Sequence, residues 1–156
     1  ILAPETKAVR VKQTTSTGAV NSITSGNEYY IKNDWSGNFI VVCANQELCM
    51  SSSKEQSFEL VYKGSDSFGP YYRIIHPFWG CAYNEYFECM YGNGNVNDAE
   101  RWYITNDQSV SGKSDDKLFC IKNKNYSNTF LKEEKTWSTL EYAGACNKSH
   151  KRWKLQ

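Results

Sequence analysis

The chain has 156 residues, 15% of them aromatic, and 18 Lys+Arg against 17 Asp+Glu for a formal charge of +1. That length suits one domain with its own core, and the balanced charge supplies no field to gather nucleic acid or an anionic membrane. The longest apolar run, six residues from Phe39 to Ala44, falls far short of the roughly 20 that a membrane-spanning helix needs, so a soluble chain is expected.

Residues 1–27 are rich in Ser and Thr, carry Gly18 and Gly26, and read as an extended lead-in to a domain over 28–156. The start Ile1-Leu2-Ala3-Pro4 lacks an initiator Met, as removal of a signal peptide would leave it; a shortened chain would begin the same way. From Glu28 onward, short β-branched and aromatic runs alternate with turn clusters. The runs predict strands at 28–33, 38–43, 47–51 and 57–62, then 71–76, 80–84, 87–91 and 101–105, then 117–122, 128–132, 139–143 and 151–155. Between them stand turn residues such as Asn33-Asp34-Trp35-Ser36-Gly37, Gly64-Ser65-Asp66, Gly92-Asn93-Gly94-Asn95 and Ser111-Gly112-Lys113. No stretch of a dozen residues has a capped 3.6-residue apolar period; only Thr136–Glu141 could hold a helical turn. The predicted class is all-β.

Two phrases repeat along the chain. An aromatic-x-Ile opens three segments, at Tyr29-Tyr30-Ile31, Tyr72-Arg73-Ile74 and Phe119-Cys120-Ile121. A polar-x-aromatic-x-aliphatic phrase closes them, at Gln56-Ser57-Phe58-Glu59-Leu60, Glu100-Arg101-Trp102-Tyr103-Ile104 and Lys151-Arg152-Trp153-Lys154-Leu155. From opening Ile to closing aromatic the distances are 27, 28 and 32 residues. Matched anchors in successive units predict a threefold array of units 28–70, 71–116 and 117–156, with Phe58, Trp102 and Trp153 converging in one core.

Six cysteines fit an oxidising, extracellular compartment. Fifteen connectivities are open to them. Cys43 with Cys49 and Cys81 with Cys89 each bracket a turn between strand-like runs, which leaves Cys120 with Cys146. The sequons at Asn125 and Asn147 agree with secretion. No Cys-x-x-Cys or Cys/His cluster suggests a metal, and no cofactor is implied.

Catalytic motifs are missing from the sequence: no Gly-x-Ser-x-Gly elbow, phosphate loop or His-Glu-x-x-His pair occurs. His76, before Pro77 and beside Phe78 and Trp79, reads as a turn or packing residue, and His150 as solvated. The chain is expected to bind rather than to catalyse. An aromatic ring that stacks on a sugar's C–H face, beside a carboxylate and amides for its hydroxyls, is available at Asp34, Trp35, Asn45 and Gln56.

Four short strands per unit in three units resembles a β-trefoil, and the closing phrase resembles the Gln-x-Trp signature of ricin-B-type trefoil lectins. The resemblance covers 28–156. It departs from the pattern where Glu100 and Lys151 replace Gln and where Phe58 stands for Trp. It implies six strands in a closed barrel, six more in hairpins that cap one end, and a saccharide pocket formed by an Asp after the opening strand with a nearby aromatic and an amide. Asp34 and Gln56 match in position, whereas the second and third units lack the Asp. Glycan or glycoprotein is therefore the expected partner of a monomer. More distantly the chain is similar to soybean Kunitz-type trefoil inhibitors, which implies an alternative: Lys63, in the junction Lys63–Pro70, or Lys113, in 106–116, offered to a trypsin-like protease, or other loops blocking an extracellular protein. The cysteine layout of that family is not present.

Overall fold

A computed structural model describes residues 18–83, 86–87, 98–106, 116–125, 129–134, 137–142, 146 and 149–156. The chain is all-β. The first unit holds β1 (Glu28–Tyr29), β2 (Ile31–Asn33), β3 (Phe39–Val42), β4 (Leu48–Ser51) and β5 (Phe58–Ser65). The second holds β6 (Pro70–His76), β7 (Gly80–Tyr83), β8 (Tyr86–Phe87) and β9 (Trp102–Thr105). The third holds β10 (Phe119–Asn123), β11 (Thr129–Glu134), β12 (Trp137–Tyr142) and β13 (Arg152–Leu155). Of the possible helical turn at Thr136–Glu141, the described residues 137–141 lie on β12, a strand paired along its length with β11, and Thr136 lies outside the described residues. Its β-branched and aromatic residues suit a pleated surface better than a helix.

Pairing repeats from unit to unit. In each, the opening strand joins a hairpin: β2–β3–β4, β6–β7–β8 and β10–β11–β12. The opening and closing strands of each unit also pair, β1 with β5, β6 with β9 and β10 with β13. Each closing strand then pairs with the opening strand of another unit: β5 with β6, β9 with β10, and β13 with β2. The opening run of the first unit divides at Tyr30, which exchanges both backbone hydrogen bonds with Gln156, at 2.8 and 3.0 Å.

Alternation along these strands sends one residue of every two inward. The core is accordingly a stack of triplets, one residue per unit: Ile31, Ile74 and Ile121; Ile40, Ala82 and Leu131; Phe58, Trp102 and Trp153; Leu60, Ile104 and Leu155, all buried in one cluster. The closing aromatics do converge. Ala82, the smallest of its triplet, lies within hydrogen-bonding reach of Trp102, while Ile40 holds the same place in the unit whose closing ring is the smaller Phe58.

Disulfides join Cys43 to Cys49 and Cys120 to Cys146. Cys81 is also disulfide-bonded, and its expected partner, Cys89, lies outside the described residues. The lead-in is more than a linker over 18–27. Val20 and Ile23 pack on the core, Val20 N–H donates to Leu155 O (2.8 Å), and Gly26 N–H donates to Leu60 O (2.8 Å). Its apolar residues were too sparse to show a period, but they cover core surface that would otherwise meet water.

Candidate functional site

The turn between β2 and β3 carries the residues of greatest interest. Asn33, buried at the end of β2, accepts hydrogen bonds at Oδ1 from the Trp35 and Ser36 backbone N–H groups (3.0 and 3.2 Å). Gly37 N–H donates to Asn33 O, and the positive φ of Gly37 (77°) lets the chain reverse without the cost a side chain would meet there. The turn is pinned from outside by Glu133 of β11, which is buried; its carboxylate accepts from Ser36 Oγ and from Asn38 Nδ2 (2.9 Å). Asn33, and not Asp34, is thus the capping residue.

Asp34 and Trp35 follow this cap in the turn, and the Asp34 side chain, 16% exposed, turns toward β13. Trp35 is 61% exposed. Asp34 Oδ1 lies 3.6 Å from Lys154 Nζ and Oδ2 lies 3.8 Å from Arg152 Nε, both on β13. At those distances the cations hold the carboxylate by charge. No described residue donates a hydrogen bond to either oxygen, so their lone pairs stay available to a ligand's hydroxyls.

The other expected binding residues sit elsewhere. Asn45 is exposed at the tip of the β3–β4 hairpin, where Oδ1 accepts from Glu47 N–H (3.4 Å), next to Gln46, whose φ of 66° is left-handed. Gln56 Oε1 accepts from Val42 N–H (2.8 Å), a bond that ties the closing phrase to β3. Both make contacts within the scaffold, and neither bonds to Asp34.

Among the described turns, the pairing of a carboxylate with an exposed aromatic is confined to the first unit. His76 and Asn123 repeat the position of Asn33: His76 Nδ1 accepts from Phe78 and Trp79 N–H (3.1 and 3.2 Å), and Asn123 Oδ1 from Asn125 N–H (3.0 Å). Burial holds the His76 pKa below its usual 6.5, which favours the neutral ring that this acceptor role requires. The Asp34 position is then Pro77 in the second unit and Lys124 in the third. Phe78, 89% exposed, stands where Trp35 does, preceded by Pro77 and not by a carboxylate. The sequence carries a signal for this cap that the local reading passed over, since Asn33, His76 and Asn123 each stand two residues after an opening Ile; Glu133, Arg152 and Lys154 had no local signal, because only the fold brings them to this turn.

The junction Lys63–Pro70 is the end of the β5–β6 hairpin. Lys63 is an exposed residue of β5, at the bulge between Tyr62 and Gly64, and the connection to β6 is the turn Asp66–Gly69. That turn is anchored: Tyr103 O–H donates to Asp66 Oδ2 (2.5 Å), Lys124 Nζ reaches the same oxygen (3.1 Å), and Phe68 N–H donates to Oδ1 (3.0 Å). The Tyr103 bond, ahead of the Phe68 and Lys124 contacts, holds the Asp66 pKa down at about 2. Lys113, the Tyr126 sequon residue and Asn147 lie outside the described residues; Asn125 is exposed.

No protein-family model matches the chain, and no curated protein is similar to it in sequence. Solved structures are similar in fold. A Culex salivary protein of the cysteine- and tryptophan-rich family has 16% identity and a TM-score of 0.63, the match covering 88% of this chain and 96% of that one. The ricin B-like lectin of Macrolepiota procera in complex with lactose has 19% identity and a TM-score of 0.59, with 86% and 98% covered. Lysenin with phosphocholine has 18% identity and a TM-score of 0.61, but this chain, matched over 88%, spans only 47% of lysenin. The fold is a β-trefoil.

Proposed function

We propose that the chain is a secreted, non-catalytic carbohydrate-binding protein, a monomer whose six opening and closing strands close into a barrel, and that its first unit binds the sugar. The observation that carries this reading is the pairing of an exposed indole, Trp35, with the adjacent Asp34 carboxylate on a turn fixed by Asn33 and Glu133. A pyranose needs a flat apolar surface for its C–H face and acceptors for its hydroxyls. A turn already ordered by hydrogen bonds supplies both without an ordering cost on binding. The lactose held by the Macrolepiota lectin on the same fold supports saccharide as the ligand class. The protease-inhibitor alternative has less support, since Lys63 lies on a strand and the 66–69 turn is tethered at its base.

A glycan array decides it. The intact protein is expected to bind a subset of glycans, and Asp34→Ala and Trp35→Ala are each expected to abolish that binding while leaving the melting temperature near that of the parent. Binding that survives both substitutions would move the site elsewhere; an array with no bound glycan would remove the function.

A further inference from the structure

The sheet beside this turn brings like charges together. In the β2–β13 register, Lys154 lies directly opposite Lys32 and Trp153 opposite Asn33. Asn33, Trp153, Ile31 and Leu155 point into the core, so Lys32 and Lys154 share the outer face, with Asp34 and Arg152 next along it. Directly opposed residues of an antiparallel pair have Cβ atoms about 5 Å apart, a spacing at which like charges destabilise the pairing. Asp34 is the carboxylate that meets Lys154 and Arg152 here. Among the described residues no carboxylate lies within 4 Å of Lys32 Nζ, whose stem instead runs past Phe39, 5.7 Å from its ring centroid, toward Gly37 of the turn. Glu133, the other carboxylate at the turn, is 2% exposed and occupied by Ser36 and Asn38.

The third unit shows the ordinary solution to the same geometry. Lys122 holds the place of Lys32, and its cross-strand partner is Tyr103 in place of a second lysine. There the ammonium is buried over the Phe68 ring, 3.2 Å from its centroid, with Tyr103 and Phe130 beside it. In the first unit both lysines are half-buried, Lys32 beside Gly37 and Lys154 beside Asp34 of the turn that carries the exposed Trp35. Two half-buried lysines that have one carboxylate, Asp34, within reach, and that share it with Arg152, leave positive charge beside an aromatic ring, which suits an anion carried on an apolar ring.

Building on the saccharide reading, we infer that the ligand is acidic: a sugar whose carboxylate or sulfate ester is held by Lys32 and Lys154 while its ring lies against Trp35. Asp34 then orients Lys154 and Arg152 and accepts a ligand hydroxyl. The test is an array of matched glycans sharing one core in neutral, carboxylated and sulfated forms, probed with the parent protein, K32Q/K154Q and Trp35→Ala at two salt concentrations. The acidic forms are expected to bind at least roughly tenfold more tightly than their neutral parent, an advantage that falls with added salt. The double variant should lose that advantage yet melt no lower than the parent protein, since glutamine keeps the stem and removes the repulsion. Whether carboxylated or sulfated forms lead identifies the acidic group. Equal binding of neutral and acidic forms, or a preference that survives K32Q/K154Q, would overturn the inference and leave the saccharide reading standing. Failure to bind any glycan would remove both.

Discussion

Trp153 donates its indole N–H to the carbonyl of Leu131 across 3.0 Å, deep in the core, and Trp102 makes the same bond to Ala82 at 3.1 Å. In each case the closing aromatic reaches the inward residue of the second strand in its own unit. Phe58 cannot donate, so the first unit keeps the packing without the bond. Trp153→Phe should therefore fold, but it leaves a buried acceptor at Leu131 and a partial void. A loss of about 1–3 kcal/mol in urea unfolding is expected, with Trp153→Ala costing about 3–5 kcal/mol.

Glu133 holds the Trp35 turn from a strand of another unit. Glu133→Ala removes the acceptor of both Ser36 Oγ and Asn38 Nδ2. Saccharide affinity is expected to fall about tenfold, because the turn must then be ordered at the moment of binding. Hydrogen exchange at the Asn38 and Ser36 amides should quicken, which separates a loosened turn from a lost contact.

The two described disulfides close loops of different length, with separations of 26 residues for Cys120–Cys146 and 6 for Cys43–Cys49. Chain-entropy reasoning gives about 3.5 kcal/mol for the first and about 2 kcal/mol for the second. Paired substitutions to Ala should rank in that order in chemical unfolding. The reverse order would mean that packing around the second core cluster of Cys120, Cys146 and Phe130 does not follow the loop-closure account.

His76 makes the second unit's turn sensitive to acid. Its folded pKa lies below the usual 6.5 because burial disfavours the imidazolium, so on acidification the unfolded chain takes up the proton first. The His76 contribution to stability is complete above pH 6.5, declines as pH falls below that value, and levels off once the lowered folded pKa is passed. His76→Asn installs the amide that Asn33 and Asn123 use in the other units. Its baseline stability will drop through lost packing on Phe58, whose ring centroid lies 5.7 Å away, but the slope of melting temperature between pH 5 and 7 should flatten.

Asp66 acts at lower pH. With its pKa held near 2, the stability it gives is present above 3.8 and is lost as pH falls through about 2. Asp66→Asn should remove that part of the acid response in melting curves taken between pH 1.5 and 5. Because the carboxylate is exposed, the change in melting temperature at neutral pH should be small.

The strands were legible because half-buried β-structure writes a period of two in apolar residues and marks its ends with turn chemistry. The repeated aromatic-x-Ile and closing phrases exposed the threefold order for a related reason: equivalent places in a shared core accept only large apolar side chains, so Ile31, Ile74 and Ile121 recur. Local reading was less sure for single polar residues. Asn33 and Asp34 stand side by side in the turn and no local pattern separates their roles; the oxygen that caps the turn belongs to Asn33. Gln56, matched to a signature position, spends its side chain on the Val42 backbone.

By itself, then, the sequence determined the class, the unit spacing and the aromatic triplet, all of which follow from periodicity and burial over neighbouring residues. Only the tertiary structure decided what surrounds Asp34. Arg152, Lys154 and Glu133 stand about a hundred residues or more from it along the chain, and they reach the turn through the β13–β2 register and the placement of β11. Electrostatic environment depends on distance through space, and strand pairing between chain ends sets that distance in a way no local pattern records.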